Sequence, residues 1–127
     1  MSNVVSVLKD KHGQQPVPSA WRNTFSEIVE AFKDKDFTLA RGIACVRPIS
    51  VEDAEGIADN IQNYGALLIS LPEEAWQTSV CQWQEGHWSV MVDLFTESEG
   101  ASDLVLHVRV YENGSAFVFE VHLVYVP

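Results

Sequence analysis

Between residues 48 and 108 the chain contains no lysine and no arginine. The same stretch holds eleven acids: Glu52, Asp53, Glu55, Asp59, Glu73, Glu74, Glu85, Asp93, Glu97, Glu99 and Asp103. Seven of the eight basic residues precede it and only Arg109 follows, so the net charge of −10 belongs to the middle of the chain. A field of one sign repels nucleic-acid phosphates and attracts cations and basic proteins. Nucleic acid is therefore not an expected partner, and a basic protein is.

Other absences narrow the field. No apolar run approaches the length that spans a bilayer. The first residues lack the basic-then-apolar order of a secretory signal, because Lys9 and Lys11 follow the apolar positions. A cytoplasmic protein without membrane contact is the expectation. There are only two cysteines, Cys45 and Cys81, and they are far apart; both are expected as reduced, buried thiols. No Cys or His pair has the close spacing of a zinc site, no glycine-rich loop cradles phosphate, and no serine sits in a nucleophile elbow. On these grounds no metal, cofactor or catalytic residue is expected, and the chain reads as non-enzymatic.

What is present describes an ordinary globular protein: 127 residues, 46% hydrophobic and 20% charged. That length suits one domain with a core that needs no staples. Residues 1–17 read as an N-terminal arm, interrupted by Gly13 and Pro16, in which Val4, Val5, Val7 and Leu8 are free to pack on the domain. Residues 18–127 read as a single α+β domain.

The first helix is expected from Ser19, as N-cap, to about Asp36. Trp21, Phe25, Ile28, Val29 and Phe32 recur at three- and four-residue steps and form its apolar stripe. Leu39, Ile43, Cys45 and Val46 are candidates for burial, and residues 43–47 for a short strand ended by Pro48. A second helix follows Ser50, whose hydroxyl can cap it, with Glu52 and Asp53 in the first turn and Gly65 just past the end. Its apolar face is narrow: Ala54, Ile57, Ala58 and Ile61.

From residue 78 the period becomes alternating. Residues 78–84, 87–96, 103–112 and 116–126 read as four strands. Glu85-Gly86 joins the first pair, and Asn113-Gly114 is a strong hairpin signal for the last. The expected architecture is two helices packed on one face of a four-stranded antiparallel meander.

Alternation assigns a core face to Cys81, Trp83, Trp88, Val90, Val92, Leu94, Leu104, Leu106, Val108, Val110, Phe117, Phe119, Val121, Leu123 and Tyr125. The other face is mixed. It carries Ser89, Met91, Asp93, Phe95, Val105, His107, Arg109, Tyr111, Val118, Glu120, His122 and Val124. With a turn at Asn113-Gly114, His107 is expected opposite Glu120 and Val105 opposite His122, with Asp93 on the neighbouring strand. A carboxylate beside an imidazole raises its pKa, and two histidines with an acid can make three metal ligands. The same groups can also be plain cross-strand pairs worth about 0.2–1 kcal/mol each.

Residues 78–83 (TSVCQW), 86–88 (GHW), 102–106 (SDLVL), 109–112 (RVYE) and 123–127 (LVYVP) resemble a small family of uncharacterised bacterial domains of unknown function. The helix at 21–32 and the segment 50–64 fit it too, so the resemblance covers residues 18–127. It implies a bacterial source and supplies no catalytic residue.

The leading functional reading is an acidic protein-binding module, in its sharpest form an immunity-type inhibitor of a basic toxin. Asp93, Glu97, Glu99, Asp103, His107, Arg109, Glu120 and His122 are the candidate partner-binding residues. A second reading is a small-molecule-binding or hydrolytic domain built on His107, Glu120 and His122. A third is a self-associating domain, dimerising through the mixed sheet face.

Overall fold

The computed structural model of the protein describes Val7 and residues 9–127. Val4, Val5 and Leu8 lie outside the described residues. The fold is α+β, with two helices, α1 (Ser19–Lys33) and α2 (Val51–Tyr64). The strands are β1 (Gln15–Pro16), β2 (Val80–Gln84), β3 (His87–Thr96), β4 (Gly100–Asn113) and β5 (Ala116–Tyr125). They form one antiparallel sheet in sequential order. The four expected strands are present, and the fifth comes from the arm. Gln15 and Pro16 pair with Cys81 and Val80, a place open to proline because it is the sheet edge. Val17 then enters the core.

Both helices follow their sequence signals. Trp21, Phe25, Ile28, Val29 and Phe32 are all buried. The cap of α1 is Pro18 and not Ser19, because the Pro18 carbonyl accepts the Trp21 N–H at 3.0 Å and draws Ser19 into the helix. In α2, Ser50 Oγ accepts the Asp53 N–H at 3.1 Å, and Gly65 ends the helix at φ +82°, a left-handed geometry that favours glycine. The stripes of both helices and one face of the sheet make a single cluster. Trp21 lies within it, its ring edge-on to Trp88, Phe117 and Phe119 at centroid distances of 5.6, 5.1 and 6.0 Å. Trp83 and Trp88 are cross-strand partners, as their places around the Glu85-Gly86 turn imply.

Two features of the last hairpin depart from expectation. Asn113 pairs with Ala116, so the turn is Gly114-Ser115. Gly114 has φ +65° and Asn113 does not leave the strand, the pattern of a II′ turn with glycine first. The pairing thus moves by two residues, which keeps every side chain on its face and changes every partner. Further along, Val108 pairs with Val121 but His107 pairs with Leu123, leaving His122 as the extra residue of a bulge. One extra residue inverts alternation beyond it. Val124 is therefore fully buried, while Leu123 and Tyr125, expected in the core, lie half-exposed on the other face.

The mixed face is not open along its whole length. Phe95 and Val105 are buried. Beyond the end of β2, residues 67–69 pair along the β3 edge in one antiparallel bridge, Leu68 to Thr96, with the Ile69 N–H donating to the Phe95 carbonyl at 3.0 Å and the Glu97 N–H to the Leu67 carbonyl at 2.9 Å. The outer edge of β5 is also covered. Phe119 donates its N–H to the Cys45 carbonyl at 2.8 Å and accepts that of Arg47 at 2.9 Å. The short strand expected at 43–47 is thus a single parallel bridge, Val46 to Phe119. Blocked edges discourage strand-to-strand association. Cys45 sits in this bridge at φ +64° and is exposed, against the expectation that it is buried. Cys81 is buried, and burial pushes its thiol up to about 11, so it stays a protonated thiol at neutral pH.

Candidate functional site

Odd positions of β3 and β4 bring His87, Ser89, Met91 and Asp93 beside His107, Arg109 and Tyr111. Across β5 lie Val118, Glu120, Leu123 and the bulge residue His122. Ser89 Oγ is 2.7 Å from His107 Nε2. The rings of His107 and His122 meet edge to face at 5.0 Å. At the other end His87 lies 5.4 Å from Tyr111, and the Arg47 guanidinium stands 5.2 Å above the same Tyr111 ring.

The expected His107–Glu120 pair does not form. The two-residue shift places Arg109 opposite Glu120, and Arg47, reaching over the β5 edge, makes an ion pair with the Glu120 carboxylate. No carboxylate is left to raise the imidazole. Burial, and after it the positive charges of His122, Arg109 and His87, push His107 down to about 4. His87 is lowered as well, by burial and Arg109, with Glu120 opposing. Among the described residues no group of three His, Cys, Asp or Glu side chains is placed to hold a metal ion, so His107 and His122 lack a third ligand.

The depressed imidazole has a consequence for stability. An unfolded His107 takes its proton near 6.5 and the folded one near 4. Between those values the unfolded chain binds more protons, so this contribution is present above about 6.5 and is lost as pH falls towards 4. A shift of that size on a fully buried group corresponds to roughly 3 kcal/mol; His107 is half-exposed, and solvent screening reduces the expected loss to about 1 kcal/mol. Urea midpoints measured on both sides of this window should fall for the wild type and fall less for His107→Gln. Equal losses in the two proteins would contradict the assignment.

Asp93 is on the face but is engaged. Its carboxylate accepts the Thr78 hydroxyl, and its N–H donates to Ser79 Oγ at 2.9 Å. Ser79 in turn donates to the Ala75 carbonyl at 2.7 Å. Asp93 thus ties β3 to the 3₁₀ turn Glu73–Gln77.

The remaining predicted residues, Glu97, Glu99 and Asp103, lie at the β3–β4 turn, away from the histidines. The Asp103 N–H donates to the Tyr64 hydroxyl at 3.0 Å, which fastens this turn to the end of α2. Glu97, Glu99 and Asp103 thus sit near the C-terminal end of α2, whose acids Glu52, Asp53, Glu55 and Asp59 run back along the helix; all seven are exposed. None of them has an ion-paired base among the described residues. Lys9, Lys11, Arg22, Lys33, Arg41 and Arg47 each pair with other acids.

Sequence reasoning weighs His87 only as a metal ligand with Cys45 and Cys81 and leaves it off the mixed face, although it shares the parity of Ser89. It has no signal for Arg47, whose arrival depends on the loop pairing along the β5 edge. A cleft of about 400 Å³ opens elsewhere, between Phe32, Phe37, Ile61 and Leu68 with Lys33 and Lys35 at its rim; it contains no acid–base pair. Among the described residues no helix is long and apolar enough to cross a membrane.

The family model described as Domain of unknown function (DUF7668) matches residues 29–127. The match takes in α2, β2 to β5 and the end of α1, and stops short of Trp21, Phe25 and Ile28, which the resemblance had included. No curated protein and no solved structure matches the chain.

Proposed function

We propose that this chain, which belongs to that family of domains of unknown function, is a non-enzymatic module that binds a basic protein, in its sharpest form an immunity-type inhibitor of a basic toxin in the bacterial cytoplasm. The observation that carries this reading is that seven acids, four on α2 and three at the β3–β4 end that Tyr64 fastens to it, are exposed with no ion-paired base among the described residues. Beyond the first turn, where the macrodipole favours Glu52 and Asp53, such a run of acids along α2 is unfavourable to the fold. Glu52 with Glu55 and Glu55 with Asp59 are like charges at helix spacing, each pair unfavourable by about 0.2–0.5 kcal/mol. A basic partner would offset that repulsion, and opposite charge speeds encounter and fixes orientation.

The test uses the product of the gene immediately upstream of this chain's own, which this reading expects to be a basic protein. The triple variant Glu52→Gln, Glu55→Gln, Asp59→Asn should associate with it at least about tenfold more slowly at low salt, and the difference should shrink as salt rises. The variant's urea midpoint should change little, because the relief of like-charge pairs and the loss of the Glu52 charge at the helix N-terminus oppose each other. Binding at the same rate and with the same salt dependence as the wild type would remove α2 from the interface. A neighbouring protein that is acidic and still binds would end the charge argument.

Self-association through the mixed face is supported by Met91, Val118, Leu123 and Tyr125, which are half-exposed there. A clean monomer in light scattering at high concentration would count against it.

A further inference from the structure

In a protein of net charge −10, guanidinium and imidazole groups outnumber free carboxylates on the sheet face around His107, among the described residues. Arg109 faces Ser89 on β3 and Glu120 on β5. Glu120 is ion-paired with Arg47. Asp93, the other acid on this face of β3, is bonded to Thr78 and paired in register with Val105. Arg109 itself has no ion-paired acid among the described residues. Two residues before it on the same strand face, His107 touches Ser89 at 2.7 Å and stands edge-on to His122.

We infer that Arg109, His107, His122 and Ser89 form a binding site for a small oxyanion, either a carboxylate or a tetrahedral group of the sulfate and phosphate kind. The chemistry of each residue suits that ligand. A guanidinium presents a fork of N–H donors matched to two oxygens. A protonated imidazole donates from both nitrogens, and a serine hydroxyl rotates to donate where needed. Alternate residues of one strand stand about 6.6–7 Å apart on the same face, a span that an anion bridges with the reach of an arginine. Ser89, His107 and Arg109 are part-exposed and His122 is exposed, so the ligand needs no opening of the fold.

Binding is linked to protons. His107 faces Ser89 and Met91 from β3, Val105 and Arg109 from its own strand, and Leu123 and His122 from β5. His87, Glu120 and Arg47 are the other charged or titratable groups at the Arg109 end of the face, with Asp93 beyond Met91. Burial first, and then the nearby cationic groups, lower the His107 pKa. An anion in front of His107 and Arg109 supplies the opposite charge, so its binding draws a proton onto the imidazole and strengthens as pH falls. This site goes beyond the basic-partner reading and does not rest on it, since that reading places its contacts on α2 and the β3–β4 turn.

The test is an NMR titration of the intact protein with sulfate and, separately, with acetate, against chloride at equal ionic strength. Saturable shifts are expected at Ser89, His107, Arg109 and His122. Saturating sulfate or acetate should raise the His107 pKa by about one unit, which is a tenfold tighter hold on the protonated form. Stronger binding of sulfate would mark a tetrahedral ligand, and stronger binding of acetate a carboxylate. Arg109→Gln should abolish the shifts. Glu120→Gln, which frees Arg47 and removes a negative charge, should strengthen binding, an effect that a damaged fold does not produce. If Arg109→Gln does not fold, His122→Asn at the exposed bulge takes its place and should weaken binding several-fold. Shifts that chloride reproduces, shifts that never saturate, or a folded Arg109→Gln or His122→Asn that titrates like the wild type would each overturn the site.

Discussion

Replacing Trp21 by alanine should destabilise the protein by about 3–5 kcal/mol, a large share of the roughly 5–15 kcal/mol that holds a typical domain. Trp21 is 1% exposed and is in ring contact with Trp88, Phe117 and Phe119, so it joins α1 to three positions on β3 and β5. Removing it leaves a void between two layers that cannot close on each other. Trp21→Phe should be much milder. It keeps a ring in the same place and removes an indole N–H that has no hydrogen-bond partner among the described residues; an unsatisfied buried donor is unfavourable by about 1–3 kcal/mol, which offsets part of the lost area. Urea denaturation of the three proteins reads both effects. An alanine variant with the wild-type midpoint would mean that α1 is not part of the core. The result bears on the extent of the domain as well, because Trp21 precedes the residues that match the family.

A pair of neighbouring substitutions should separate the bulge from a regular ladder. Val124→Asp is expected to cost about 3–5 kcal/mol, since it places an unpaired charge in the interior, where Val124 has no exposure. Leu123→Asp, one residue away, should change stability by less than about 1 kcal/mol, because Leu123 lies on the half-open face opposite His107. Without the extra residue at His122 the order would be reversed, with Leu123 inside and Val124 outside. Thermal and urea midpoints of the two variants decide the phase. If Leu123→Asp unfolds the protein while Val124→Asp is tolerated, the bulge is absent and His122 does not meet His107.

The elements were legible where the physics is local. The spacing of Trp21, Phe25, Ile28 and Phe32, the Ser50 cap and Gly65 need only their own neighbours to act. The alternation of Trp88 to Leu94 and of Leu104 to Val110 sealed one face of the sheet in the same way. The failures lie where two segments meet. Asn113-Gly114 and Gly114-Ser115 are both acceptable turn pairs, and choosing between them moves Glu120 from His107 to Arg109. The bulge at His122 has no composition signal, and it exchanged Leu123 and Tyr125 for Val124 in the core. Cys45 reads as a buried small apolar residue, yet its segment pairs along the β5 edge with the side chain in solvent.

From the residues alone came the fold class, the helix stripes, the sealed sheet face and a domain whose acids are crowded into its middle, because period, caps and charge act over a few residues and survive any arrangement of the elements. The tertiary structure decided the rest. Register and one bulge set His107 beside Ser89 and His122, the loop paired along the β5 edge brought Arg47 to Glu120, and Tyr64 fastened the β3–β4 turn to the end of α2. Those outcomes depend on distances between residues far apart in the chain, and only packing sets such distances.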